Sequence, residues 1–159
     1  MVSATRDVLF ERLEAVFASE AFAELWPDVM VPKVYLGFPV NEPPCYVAVD
    51  EVAESIATEG AVTMGHVGIT FDLRVWVFAQ NTSLQVASDT MLALSEAIIM
   101  SVCVDQRLKG TVDVSFPELD AAGTAADSSK RYNAAGTVRV RCSVFSQCPA
   151  GLRSVVESV

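Results

Sequence analysis

One stretch of the chain, residues 67–100, changes its hydrophobic period part-way along, and it limits the possible folds most strongly. Its first part, VGITFDLRVWVFA, alternates with a period of two, which is typical of a long β-strand. The polar run QNTS follows, and apolar residues then recur at spacings of three and four, as in an amphipathic helix. A long strand that leads directly into such a helix predicts a sheet with a helix on one face.

Two further helical signals come before this stretch. Apolar residues recur at helical spacing from Val8 to Phe17, and Thr5 is the expected N-cap of this helix. The segment AFAELW continues it or forms a second short turn that ends at Pro27. We expect Phe22 and Trp26 to be core anchors.

Four segments besides the long strand have the composition of β-strands. Residues 34–36 and 45–49 predict two short strands, joined by a connection that is rich in proline and glycine. Residues 111–116 predict a later strand that Pro117 terminates, and residues 133–145 predict a last, long one. Short polar turns favour antiparallel pairing. We therefore predict an α+β fold: a mostly antiparallel sheet of four or five strands with two helices packed on one face.

The predicted organisation is one domain, residues 1–148, followed by a C-terminal tail, residues 149–159. A chain of 159 residues is long enough to bury one sizeable core. Residues 51–59 are expected to form an exposed, strand-like or irregular segment. Residues 59–68 and 118–130 are expected to be loops. These loops and the tail from Ser146 are the candidates to become ordered on docking to a partner.

The apolar content is high, at 52% of residues with a mean hydropathy of +0.38. It implies an extensive core, or an apolar surface that another subunit covers. No apolar run approaches the roughly 20 residues that cross a bilayer. The N-terminal segment mixes both charge signs, unlike a secretory signal. We expect an intracellular protein with no membrane partner.

Few residues suggest catalysis or metal binding. The four cysteines form no CxxC pair, and His66 is the only histidine, so neither a zinc site nor a cofactor is predicted. Buried thiols are expected for Cys45, Cys103, Cys142 and Cys148. An enzyme that uses Asp72, His66 or the cysteines is the weakest hypothesis, because no acid–base pair accompanies them. We expect no catalytic activity.

Charge is distributed unevenly along the chain, whose net charge is −9. Residues 1–60 contain 11 acids and 3 bases, whereas residues 61–159 contain 9 acids and 8 bases. This polarity suits a head-to-tail contact between identical copies, and it suits compensation within one sheet equally well. The overall acidity argues against tight binding of nucleic acid.

One face of the predicted sheet mixes aromatic residues with arginines, as subunit contacts do. Residues 128–156 contain five bases and no acid and are called here the basic strip. The acids of the segment 51–59 are expected to meet the basic strip of a neighbouring copy. The predicted subunit interface comprises Arg74, Trp76, Phe78, Lys130, Arg131, Arg139, Arg141, Glu51, Glu54 and Glu59.

The order of these elements resembles that of the tail terminators and tail-completion (neck) proteins of long-tailed bacteriophages. The similarity lies in the N-terminal helix, the connector VYLGFPVNEPP, the strand FDLRVWVFAQN that enters an S-x-x-x-A-S helix, and the final basic strand. It extends over most of the chain without a diagnostic motif. The resemblance implies an α+β subunit of a hexameric ring that caps the tail tube and faces the head–tail connector.

The same resemblance implies a virion component of the tail or neck, present in the host cytoplasm during assembly, through which DNA passes without specific binding. An acidic bore would repel the phosphates, and Glu51, Glu54 and Glu59 are the residues suggested for it. The alternative hypothesis is a dimeric α+β domain that binds a small ligand or regulates a partner. A discrete hexamer in solution distinguishes the first hypothesis from the second.

Overall fold

A computed structural model describes residues 2–50, 56–63, 66–127, 129–147, 152, 155–156 and 158 of the chain. Its helices are α1 (Val2–Phe17), α2 (Glu20–Leu25) and α3 (Leu84–Val104). Its strands are β1 (Lys33–Leu36), β2 (Cys45–Val49), β3 (Ile56–Thr63), β4 (His66–Asn81), β5 (Val114–Ala126) and β6 (Tyr132–Gln147). Most of the predicted tail after residue 148 lies outside the described residues.

The strands form one mixed sheet in the order β1-β2-β4-β6-β5, with β3 paired to the first half of β4. Only β1 and β2 are parallel, and every other pairing is antiparallel. The predicted α+β class and mostly antiparallel sheet are confirmed. The described residues contain six strands because residues 56–63, of which 59–63 were expected to begin a loop, pair with β4 as β3.

The centre of the sheet is the pair β4 and β6, which are matched over their full lengths from His66↔Gln147 to Asn81↔Tyr132. The predicted alternation of β4 is present. Phe71, Leu73 and Val75 are buried on the face that carries the helices. The residues between them are half-buried on the opposite face. One core therefore lies between the sheet and its helices.

Helix α3 begins where the sequence predicts, because the Ser83 hydroxyl accepts a hydrogen bond from the Val86 N–H at 3.4 Å. Its stripe packs against β4, β5 and β6. The stripe consists of Ala87, Met91, Leu94, Ser95, Ala97, Ile98, Ser101 and Val102. Contrary to expectation, this helix has the length and composition of a membrane span. Here it is the core helix of the domain, with one face buried against the sheet.

Helix α1 starts before its expected N-cap, since it extends from Val2 and encloses a fully buried Thr5. Leu9, Leu13 and Phe17 recur every four residues and form its buried face. Arg12 joins α1 to the end of α3: its guanidinium lies 2.6 Å from the Asp105 carboxylate and donates to the Asp105 carbonyl at 2.9 Å. Both long helices therefore pack on one face of the sheet, as predicted.

Strand β5 is longer than the sequence predicts. It was expected to end at Pro117, but it continues to Ala126 through a run of small residues that was expected to be a loop. Pro117 is tolerated because β5 is an edge strand, whose outward N–H groups have no ladder partner to lose. Pairing with β6 as far as Ala126↔Tyr132 gives these poor strand formers their extended conformation.

A substitution at Gly136 on β6 tests how closely α3 and β5 pack against this strand. A Cβ atom at Gly136 would lie 2.8 Å from the Met91 sulfur and 3.3 Å from the Ala121 carbonyl oxygen. Gly136→Ala should therefore lower the free energy of unfolding by about 1–2 kcal/mol, measured by urea denaturation. Gly123→Ala on the same hairpin is the control, because a Cβ there meets nothing within 4 Å. We expect that control to be neutral or stabilising by about 0.4–1 kcal/mol. Equal losses at the two positions would contradict this account.

Candidate interaction surface

The face of the sheet that points away from the helices is called here the outer face. On β4 it presents Asp72, Arg74, Trp76 and Phe78, and on β6 it presents Thr137, Arg139 and Arg141. The alternation of both strands places all of these side chains on one side. Predicted interface residues from two distant segments of the chain are thus brought together.

The outer face carries a network of ion pairs. Arg74 and Arg139 lie directly opposite each other on neighbouring strands, an arrangement that is unfavourable without acids nearby. Strand β5 supplies these acids: Arg139 is paired with Glu118, and Asp120 lies 3.9 Å from both arginines. Arg141 lies 3.4 Å from Asp72, its partner across β4 and β6. Much of the basic strip of β6 is therefore compensated within the sheet.

Sequence reasoning missed the part of this network that β5 contributes. Glu118 and Asp120 were assigned to a loop because they follow Pro117 and precede a run of small residues. In the structure Glu118 is the register partner of Arg139. The register shifts between Leu119 and Ala121, which makes Asp120 the extra residue of a β-bulge. The sequence did contain a signal for this strand, because the two acids Glu118 and Asp120 are separated by the two-residue period of a β-strand.

Hydrogen bonds from the Arg139 guanidinium, and then its charge, lower the pKa of Glu118 below its ordinary value of 4.5. A lowered pKa in the folded state contributes stability above pH 4.5, and this contribution disappears as the pH falls through the folded-state pKa. Glu118→Gln should therefore be less stable than the wild type at pH 7, and the difference should vanish at acidic pH. Urea unfolding at a series of pH values measures this.

The matched control is Glu96→Gln on α3, where the carboxylate is exposed and has no ion pair among the described residues. The stability difference between this variant and the wild type should stay nearly constant over the same pH series. A constant difference for Glu118→Gln as well would show that the Arg139 contact adds no stability.

Next to the ion pairs lies an aromatic cluster of Tyr35, Phe38, Tyr46, Trp76 and Phe78. The Tyr46 ring stacks on Phe78 at 5.1 Å, and Tyr35 meets Tyr46 edge-on at 6.2 Å. The Phe38 ring lies 5.4 Å from Trp76. Burial, together with Glu42, which accepts a hydrogen bond from the phenol, raises the pKa of Tyr46 to about 12. The cluster makes this part of the outer face apolar.

The aromatic cluster depends on the connection between β1 and β2, residues 37–44. Parallel neighbours usually need a crossover of about a dozen residues or more, so this connection is short. It begins at Gly37, whose positive φ of 75° suits glycine and whose N–H donates to the Val49 carbonyl at 2.7 Å. Phe38 then lies against Trp76, so the connection passes over the outer face.

A shallow depression of about 360 Å³ lies between Trp76 and the distal half of the β5–β6 hairpin. Its walls are small residues, including Ala121, Gly123 and Ala135. The indole Nε1–H of Trp76 is buried and has no acceptor among the described residues. The depression is thus lined mainly by small residues and by Trp76.

The turn between β5 and β6, residues 127–131, carries two more predicted interface residues, Lys130 and Arg131. Asp127 organises this turn by accepting hydrogen bonds from the Ser129 hydroxyl at 2.6 Å and the Arg131 N–H at 3.1 Å, and these bonds lower its pKa. The Arg131 guanidinium donates to Gln80 at 3.3 Å. Lys130 is exposed, with φ at 60°.

The remaining predicted residues are less informative. Glu51 and Glu54 lie outside the described residues, and Glu59 belongs to β3, where its register partner is Gly68. His66 was expected in a loop but begins β4. No group of metal-ligating side chains occurs in the described part of the chain.

The cysteines differ from one another in exposure. Burial raises the pKa of Cys45 to about 11 and that of Cys142 to about 12, so both thiols are protonated at neutral pH and unreactive. Cys103, by contrast, is exposed on α3, which corrects the expectation that it is buried. Cys148 lies outside the described residues.

Comparison with known proteins finds similarity at the level of structure. No protein-family profile matches the chain, and no curated protein matches its sequence. A chain of the virion of a native gene transfer agent particle is similar in structure, with 16% sequence identity and a TM-score of 0.47. The similarity covers 87% of this chain and 93% of the other. It is a likeness of general shape over most of both chains.

Proposed function

We propose that this chain is a non-enzymatic structural subunit of a phage-like virion. In this proposal it forms a ring, with six copies as the expected number, that terminates the tail tube and faces the head–tail connector. The ring would act by shape and surface contacts, and DNA would pass through it without specific binding. The proposal follows from the order of elements in the sequence and from the surface described below.

The observation that carries the proposal is the open edge of β5. Unpaired edge strands associate with other chains unless charge, proline or a bulge protects them. The first half of β5 has Pro117, Glu118 and the bulged Asp120, whereas residues 121–126, AAGTAA, have none of these features and are exposed throughout. Such an edge suits pairing with a neighbouring subunit.

The apolar surface supports the same conclusion. Large apolar side chains are also exposed just before β1, the strand at the opposite edge of the sheet, where Met30 and Val31 lie. Exposed apolar surface on both sides of one sheet is typical of a subunit that contacts a copy on each side. A ring is the closed form of such a head-to-tail arrangement.

Light scattering and electron microscopy of the purified chain, alone and with tail tubes, test the proposal. We expect closed rings with a central opening, and rings bound at one end of each tube. A chain that leaves tube ends uncapped at every concentration would refute the tail-terminator role. Discrete dimers that do not bind the tubes would favour the alternative function, a dimeric ligand-binding domain.

The alternative is a dimeric domain that binds a small ligand, and the depression beside Trp76 is the observation that favours it. A ligand there would pack against small residues and against the Trp76 side chain. Saturable quenching of tryptophan fluorescence that is lost in Trp76→Phe but kept in Trp26→Phe would support this function.

A further inference from the structure

Two exposed segments of the chain differ in charge. One is the β5–β6 turn with Lys130 and Arg131. The other is what we call the α2 flank, formed by Glu20, Glu24 and Asp28, which precedes β1 in the chain. We propose that the turn of one copy docks against the α2 flank of the next copy.

Both features lie at the end of the sheet where β4 finishes. Asp28 and Met30 line a small cavity together with Gln80 and Asn81, the last residues of β4. The amide of the same Gln80 donates to Asp127 in the turn at 3.2 Å. Asp28 of the flank and the turn thus lie at the same end of the sheet, and both lie near Gln80.

The two edge strands of one molecule are too far apart for charges at one edge to neutralise charges at the other. Four strand-to-strand steps separate β5 from β1, which corresponds to about 19 Å. Charges at that separation are screened at physiological ionic strength, where the Debye length is about 8 Å. A second copy placed edge to edge at the same level would bring the two features together.

The charges are available for such a contact. Glu20, Glu24, Asp28 and Lys130 are exposed and make no ion pair with any other described residue. The Arg131 guanidinium donates to the neutral amide of Gln80, while Asp127 in the same turn accepts a hydrogen bond from the Arg131 N–H. Leu25 and Met30, which are 68% and 51% exposed, supply apolar area beside the acids. The α2 flank is therefore acidic and apolar, and the turn, with two bases and one acid, has a net charge of +1.

Strand directions agree with this docking. The order and pairing of the strands make β1 and β5 run in opposite directions at the two edges. A head-to-tail repeat therefore places β5 antiparallel to β1 of the next copy. Following the register across the sheet, Val34 is level with Ala122 through Val47, Val77 and Gly136. The uncharged part of the β5 edge thus begins at the level of β1.

Charge reversal on each side, followed by mixing, tests the contact, which rests on the proposed function. The turn variant is Lys130→Glu/Arg131→Glu, and the flank variant is Glu24→Lys/Asp28→Lys. Each variant alone places like charges together, so its self-association, measured by sedimentation velocity at low salt, should weaken at least tenfold. An equimolar mixture should recover the wild-type affinity, because each turn then meets an oppositely charged flank.

The controls change net charge equally at other exposed sites. Arg107→Glu/Lys109→Glu matches the turn variant, and Lys109, like Lys130, has a positive φ. Asp89→Lys/Glu96→Lys on α3 matches the flank variant. Both controls should associate within about twofold of the wild type. Lys130→Glu alone, which leaves the Arg131–Gln80 bond in place, guards against loss of folding and should still weaken association.

The outcomes separate this contact from the proposed function. A mixture that associates no better than its components overturns the contact, and so does a wild type that remains monomeric at every concentration. If rings still cap tail tubes while the reversals have no effect, the function stands and the contact fails. If mixing restores association but tube ends stay uncapped, the contact stands and the function fails.

Discussion

Leu94→Ala should lower the free energy of unfolding by about 3–5 kcal/mol. Leu94 is fully buried in the middle of α3, among the side chains that join the helix to the sheet. Truncation to alanine loses the transfer free energy of three carbon atoms and leaves a cavity that a close-packed core fills poorly. Urea denaturation followed by circular dichroism measures the loss, and the m-value should be unchanged.

Leu92→Ala is the matched control, since it makes the same chemical change on the same helix two residues earlier. The Leu92 side chain is 46% exposed, so its truncation removes little buried area and leaves no closed cavity. We expect a change below about 0.5 kcal/mol. Comparable losses at the two positions would mean that α3 does not pack on the sheet through the face described here.

Val138→Asp should prevent folding at 25 °C. Val138 is fully buried on β6, where its register partners are Val75 and Leu119. An aspartate there would lie among apolar side chains without a positive partner, which costs several kcal/mol in addition to the lost apolar burial. Since domains are stable by only about 5–15 kcal/mol, the cooperative unfolding transition should disappear.

Ala135→Asp is the control for this substitution, because Ala135 lies on the same strand with its side chain exposed. That variant should keep a dispersed NMR spectrum and a cooperative transition within about 0.5 kcal/mol of the wild type. A folded Val138→Asp protein would show that the inner face of β6 is not part of the core.

The charge distribution now has two components with different consequences. The charges of Arg74, Arg139 and Arg141 are compensated by Glu118, Asp120 and Asp72 on the outer face. For these arginines, the interpretation that charge is compensated within one sheet holds. Lys130 and Arg131 lie beyond this network, at the end of the sheet. The interface role of all these residues stays a prediction, and the turn is the part for which the structure argues most directly.

The sequence alone was sufficient for the centre of the fold. The change of period at residues 80–83 predicts β4 and α3 because alternation and helical spacing are local properties that each element carries in its own residues. The same alternation predicts which residues of β4 and β6 face inward, and hence a single core. Ser83, a helix-capping residue immediately before an apolar stripe, predicts the start of α3.

Only the tertiary structure decided what lies at the edges. Residues 121–126 have little intrinsic preference for a strand and become one by pairing with β6, and that pairing brings Glu118 and Asp120 to the arginines. Likewise, the placement of β1 parallel to β2 depends on a connection that crosses over Trp76. These features come from contacts between residues far apart in the chain. A local pattern cannot encode them, because strand pairing depends on which partner is available and not on propensity alone.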